Sequence, residues 1–215
     1  HHMLGIITHD DVIDVVREEA TEDAHRIAAV APLDVGYLET HLLTLTWKRG
    51  IWLTVLFFGA LLTAFALREY ESDIAKYTWL VLFIPLVISA GGNTGSQSAT
   101  LIITALSTGD ITLHDWWQVV RRELAMGLLL GGFLSTIGYF CAIVAAPSAI
   151  AATVIPVTLL LIIVCGTLVG STLPLMFRRL GLDPAMMSNP FVAGIIDVLG
   201  IVIYMNAALI ILPWA

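Results

Sequence analysis

The sequence predicts an all-α polytopic membrane protein with five transmembrane helices in each subunit. Three observations carry the prediction. Of 215 residues, 58% are hydrophobic and 13% charged, against about 45–50% and about 25% in soluble domains. The mean hydropathy is +0.91, which excludes an ordinary soluble domain. It also excludes disorder, which needs low hydrophobicity. The apolar residues gather into five runs, each long enough for the ~30 Å hydrocarbon core that about 20 helical residues cross.

The chain opens with His1, His2 and Met3, which read as a purification-tag remnant. From Leu4 onward the chain reads as the interior of a longer natural protein. Ile6-Ile7-Thr8 predicts a short strand, and Asp10-Asp11 after it a capped helix with Val12, Val15 and Val16 on one face. A second helical stretch, Ala20–Val30, brings Ile27 and Val30 together. Glu18 and Glu22, like Glu19 and Asp23, are neighbours four residues apart on a helix. Each like-charge pair costs about 0.2–0.5 kcal/mol. A divalent cation would relieve that repulsion, and a solvated acidic face would tolerate it.

The first apolar run is Trp47–Leu67, bounded by Lys48-Arg49 and Arg68-Glu69. The second, Tyr77–Ser107, would reach ~46 Å as one straight helix, too long for a span that is neither tilted nor broken. It contains Gly91-Gly92-Asn93-Thr94-Gly95 and is read as broken there. The third is Leu124–Ala146. A Pro147-Ser148 turn leads to the fourth, Ala149–Phe177, which holds Pro156 and Pro174. The fifth is Phe191–Trp214, preceded by Asp183-Pro184 and Asn189-Pro190. Cys141 and Cys165 lie inside these runs, without metal-ligand or disulfide spacing, and read as small buried hydrophobes.

Charge sets the orientation. Residues 1–40 hold nine acids and two bases, which account for the whole formal charge of −7. The hydrophobic body is neutral, so the basic patch that nucleic acid requires is missing. With the N-terminus inside, the inner flanks carry Lys48, Arg49, Arg121, Arg122, Arg178 and Arg179, and the outer loops only Arg68 and Lys76. This is the distribution that the positive-inside rule favours, and it makes the acidic N-terminal segment cytoplasmic. Trp47, Trp79, Trp116, Trp117 and Trp214 fall near the expected interfaces.

Asp197 is the sharpest chemical feature. It stands alone as an acid well inside a run, and no Lys, Arg or His lies equally deep in any run to pair with it. A charge at mid-bilayer costs at least ~2.5 kcal/mol on insertion scales. Its partner is therefore a cation, a proton or water, unless a protonated carboxyl bonds to neighbouring backbone. The second feature is Pro85–Gly95. A break at Gly91, Gly92 and Gly95 would free carbonyls at membrane depth, which survive only where they are buried or line a cavity. Asn93, Thr94, Ser96, Gln97 and Ser98 add oxygen atoms and donors. The alternative is close helix packing through small residues.

The candidate ligands are all oxygens, which suit Mg²⁺, Ca²⁺ or Mn²⁺ rather than Zn²⁺ or Cu²⁺. One carboxylate cannot cage a bare Mg²⁺, which holds its waters tightly. A pair across a two-fold axis would hold a hydrated one, which predicts a homodimer.

Pro85-Leu86-Val87-Ile88-Ser89-Ala90-Gly91-Gly92-Asn93-Thr94-Gly95-Ser96-Gln97-Ser98-Ala99-Thr100 resembles the signature of the MgtE magnesium channel family. So does the stretch from Asp183-Pro184 through Ser188-Asn189-Pro190 to Asp197-Val198, and Glu19-Ala20-Thr21-Glu22-Asp23 resembles the junction after that family's second CBS domain. The resemblance implies a homodimer with a pore on the two-fold axis, conducting Mg²⁺ across the cell (inner) membrane into the cytoplasm. It implies that Asp197 holds hydrated Mg²⁺, that Asn93 and the backbone at Ala193 line the pore, and that Asp183 and Asn189 lie near its cytoplasmic mouth. Glu19, Glu22 and Asp23 match acids of the gating junction, a regulatory metal site. Residues 1–3 are then the tag, 4–17 a CBS remnant, 18–46 an acidic connecting helix and linker, and 47–215 the pore domain. Ser96 and Leu199 depart from the family's usual Asn and Thr.

Three other readings carry different expectations. An exchanger would couple Mg²⁺ to Na⁺ or H⁺. An intramembrane aspartyl protease needs two acids sharing a proton; the chain supplies one, a dimer would bring two, but no second motif and no Ser/His or metal set accompanies it, so no enzyme is expected. A passive anchor or receptor for a cytoplasmic sensor would leave Asp197 without a role.

Overall fold

The computed structural model describes residues 6–33 and 35–214. The tag residues, Leu4 and Gly5 of the expected CBS remnant, and Asp34 lie outside the described residues, as does the side chain of Trp214. The described residues form helices α1 (His9–Ile27), α2 (Leu42–Glu69), α3 (Glu71–Lys76), α4 (Ile84–Thr108), α5 (Trp116–Ala142), α6 (Ala149–Ala152), α7 (Val154–Arg179) and α8 (Asn189–Ile211). Short 3₁₀ turns lie at Thr78–Phe83, Leu113–Asp115, Pro184–Met186 and Leu212–Trp214. Five of the helical segments are long and apolar enough to cross a membrane, as expected.

The N-terminal expectations need correction. Residues 6–8 form no strand. Thr8 is instead the N-cap of α1, its hydroxyl accepting from the Asp11 backbone while the Asp11 carboxylate accepts from the Thr8 backbone N–H, so two otherwise unbonded donors are satisfied reciprocally. The Thr8 hydroxyl, which also donates to that carboxylate, and the Thr8 backbone N–H together hold the Asp11 carboxyl below its usual value. The two helical stretches are one helix, which crosses the boundary expected between residues 17 and 18. It ends where Ala29 turns left-handed at φ 58°, with Val30 N–H donating to the His25 carbonyl and Ala29 N–H to that of Arg26, a Schellman closure.

The expected break at Gly91, Gly92 and Gly95 is also overturned, because α4 runs through all three without interruption. The long second run is accommodated earlier, by the 3₁₀ turn Thr78–Phe83, whose Leu80 carbonyl accepts from the buried Tyr204 hydroxyl at 2.9 Å. The glycines serve packing. A Cβ on Gly91 would stand 2.2 Å from Ile162 Cγ2, and one on Gly170 only 2.1 Å from the Gly95 carbonyl oxygen. Gly91 and Gly95 on α4 thus meet Gly166 and Gly170 on α7, the close backbone approach that small residues permit between membrane helices.

Helix α7 is the hub. It packs on α4, α5 and α8 and buries Ile155, Leu159, Ile162 and Ile163. Leu80, Val87, Ile103, Val192, Ile196, Ile201 and Tyr204 complete the core around it. Helix α2 lies at the edge. It packs on α8, and none of its residues is buried. Turns match their glycines: Gly109 and Gly181 close α4 and α7 at φ 77° and 75°, a conformation that costs glycine little.

Candidate ion-binding site

Asp197 projects from the first half of α8 and is partly buried. Its carboxylate accepts no hydrogen bond and joins no ion pair among the described residues. Room beside it comes from Gly92. A Cβ there would lie 3.6 Å from Asp197 Oδ1 and 3.5 Å from Ala193 Cβ. Asp197, Ala193 and Gly194 face Val55, Gly59 and Ala60 of α2 across a groove of about 600 Å³. A lone carboxylate in an otherwise apolar groove attracts a cation but cannot coordinate one alone.

The continuous helix gives α4 a polar stripe. Ser89, Asn93, Gln97 and Thr104 are exposed on it, and Ser96 and Thr100 half-buried, at the spacing of one helical face. Asn93 Nδ2 donates to Ser89 Oγ at 3.3 Å. Ser96 Oγ donates to the Asn189 carbonyl at 3.2 Å, and Thr100 Oγ1 to Asn189 Oδ1 at 3.1 Å. Asn93, Ser96, Gln97, Thr100 and Asn189 share the lining of one hollow of about 560 Å³, so the fold brings the expected Asn93 and Asn189 together. Thr100 is a site residue that the sequence did not single out. Its signal is the interval of seven from Asn93, which a broken helix would hide.

At the inner end, Asp183 caps the turn Pro184–Met186, its Oδ1 accepting from Ala185 N–H at 2.9 Å. Arg26 donates to Asp183 Oδ2 with one Nη and to Glu22 Oε1 with the other. Glu19, Asp23, Arg26, Arg178 and Asp183 line a cavity of about 230 Å³. Of the expected regulatory acids, Glu19 and Asp23 therefore share a cavity with Asp183, while Glu22 reaches Asp183 through Arg26. Among the described residues no group of three or more His, Cys, Asp or Glu gathers as a single metal shell.

Comparison with known proteins fits this arrangement. A family model described as "Divalent cation transporter" matches residues 84–207, from α4 through most of α8. The chain is 42% identical over 210 residues to the magnesium transporter MgtE of Thermus thermophilus, covering 98% of this chain and 46% of that protein. It is 32% identical to the magnesium transporter MgtE of Enterococcus faecalis and 30% identical to that of Bacillus subtilis, in each case over 96% of this chain and 45% of the relative. It thus spans about half the length of the curated relatives it matches. These relatives are named as transporters, not enzymes, and the five apolar helices make the chain a multi-pass membrane protein. The chain belongs to the MgtE family of divalent cation transporters.

Proposed function

We propose that the chain is the membrane pathway of a Mg²⁺ channel, which passes the hydrated ion into the cytoplasm down its electrochemical gradient. The observation that carries this reading is the unpaired Asp197 carboxylate on α8, beside the space that Gly92 leaves. The named activity of the relatives points to the same ion.

The polar stripe of α4 supports a homodimer. Asn93, Gln97 and Thr104 are exposed in the single chain, and lipid tails cannot satisfy their hydrogen bonds. A second copy related by a two-fold axis would turn both stripes, and both Asp197 side chains, toward a shared aqueous path. Two carboxylates facing each other suit a hydrated Mg²⁺ held through its waters. Asp197 retains the ion. Asn93, the Ala193 backbone and Asn189 contact its water shell. Gly92 borders the path beside Asp197 as backbone, without a break, while Gly91 and Gly95 pack toward α7. Asp183, Glu19, Glu22 and Asp23 collect divalent ions at the inner mouth.

Charge on the flanks supports an N-terminus in the cytoplasm, and the family resemblance is what implies the cell's inner membrane. The driving force is sufficient without a coupling ion, since a divalent ion gains ~4.6 kcal/mol per 100 mV. The test is Mg²⁺ entry into proteoliposomes under an inside-negative potential with Na⁺ and pH equal on both sides. Entry supports the channel. Entry only when a Na⁺ or H⁺ gradient is imposed supports the exchanger instead.

A further inference from the structure

We propose that Arg121 and Arg122 bind the phosphate of an anionic phospholipid, in the leaflet on the side of the N-terminus, with an acyl chain lying along the open face of α5. The site is on α5, away from the Asp197 groove between α2 and α8, so neither reading depends on the other.

Helix α5 packs against α7, and its outward faces stay open. Trp117, Leu124 and Leu128 continue the face of Arg121 at helical spacing, and Met126, Leu129 and Phe133 continue that of Arg122. All six are exposed, as are both arginines. The depth of the arginines sets them apart. Helices α5 and α7 run antiparallel, with Gly127 against Val164 and Gly131 against Leu160, so residue 121 lies level with residue 170. Arg178, in the last turn of α7, stands eight residues beyond that level, ~12 Å toward the water at ~1.5 Å per residue. Trp117 is also nearer the water than Arg121, by one turn, and is 65% exposed, as a residue of an aromatic belt would be. Two lipid-facing guanidiniums therefore stand on the hydrocarbon side of their own belt, where an uncompensated charge is costly.

No acid nearby in the chain compensates them. Among the described residues neither arginine makes a hydrogen bond or an ion pair. Glu123 is turned toward α4, its Oε2 accepting from the buried Ser98 Oγ at 2.6 Å. The Asp115 carboxylate accepts from the Thr112 backbone N–H and hydroxyl at 2.8 and 2.9 Å. The counter-anion must come from outside the chain, and beside a lipid-facing helix that anion is a lipid phosphate. Arginine stems lie along apolar surface and lift the charged head toward the interface. The planar fork then pairs two phosphate oxygens. A zwitterionic headgroup brings its own cation beside the phosphate, so an anionic one is preferred. Arg178 and Arg179, both exposed, add positive charge at the same end of the bundle.

The experiment uses the full chain in phosphatidylcholine vesicles, with Cys141→Ala, Cys165→Ala and a nitrobenzoxadiazole fluorophore on Leu124→Cys, one turn deeper than Arg121. Phosphatidylglycerol or phosphatidylcholine carrying a nitroxide high on one acyl chain is titrated in as the quencher. Phosphatidylglycerol should half-quench the label at a mole fraction at least about fivefold lower than phosphatidylcholine, the worth of one basic residue at a membrane surface. The paired variant Arg121→Gln, Arg122→Gln should bring the two lipids to equality. A second label, on Phe140→Cys at the other end of α5, should be quenched equally by both lipids in parent and variant, which also shows that the variant is inserted and folded. Equal quenching by the two lipids at Leu124→Cys in the parent overturns the proposal. So does a preference that survives in the paired variant, or one as large at Phe140→Cys, since either assigns the attraction to the general charge of the protein.

Discussion

Gly92 and Gly170 are both glycines on packed membrane helices, yet the structure gives them different duties. A Cβ on Gly92 meets Asp197 and Ala193 at ordinary contact distance, so Gly92→Val should fold. It should cut Mg²⁺ flux by at least about tenfold by filling the space where the ion's water shell would sit. A Cβ on Gly170 would strike the Gly95 backbone, and Gly170→Ala should destabilise the bundle by about 1–3 kcal/mol, read as a lower midpoint of thermal unfolding in detergent. Equal melting of the two variants would contradict the distinction. Ala29 presents the opposite case. It holds φ 58° without being glycine, at a cost of about 1–2 kcal/mol, so Ala29→Gly should protect the last turn of α1 from hydrogen exchange. Asp197 is legible in the sequence because a lone charge in an apolar run has few structural excuses. Arg26 is not, since its partner Asp183 lies 157 residues away and nothing local marks the pair.

Spans are the most legible elements, because twenty apolar residues between charged flanks permit little else. The glycine cluster misleads because the same letters signal a broken helix and a close-packed one. Only the partner decides, and Gly166 and Gly170 on α7 decide for packing. The surplus length of the second run goes into the 3₁₀ turn at Thr78–Phe83, which has no distinctive composition. Helix α1 reads as two stretches in the sequence because its acidic middle interrupts the apolar stripe. Its first turn depends on the Thr8–Asp11 box. The folded Asp11 carboxyl titrates below its ordinary value, so its contribution is complete above about pH 4 and is lost as pH falls through the depressed value. Amide exchange at Asp10–Val12 should accelerate over that acid range, and Thr8→Ala should remove the pH step. A step that persists in the variant would assign it to another group.

Taken as a single chain, the molecule leaves polar groups without partners among the described residues. Helix α2 buries no residue, α4 presents Asn93 and Gln97 outward, and Asp197 has one groove and no partner among the described residues. The proposed two-fold related copy would answer the last two, since lipid already satisfies an apolar α2. A cysteine at Gln97 in the Cys141→Ala, Cys165→Ala background should cross-link between two chains in membranes, whereas one at Phe133, exposed on the far helix α5, should not. The reverse pattern would place the dimer on the wrong face.

The central claim is that Asp197 holds the transported ion. Its most direct test is Mg²⁺ influx into liposomes under an inside-negative potential, with the parent chain beside Asp197→Ala at equal reconstitution. The account predicts influx in the parent and a fall of at least about tenfold in the variant, with thermal stability retained because the Asp197 carboxylate bonds no other described residue. Equal influx in both would contradict it and remove Asp197 from the ion path.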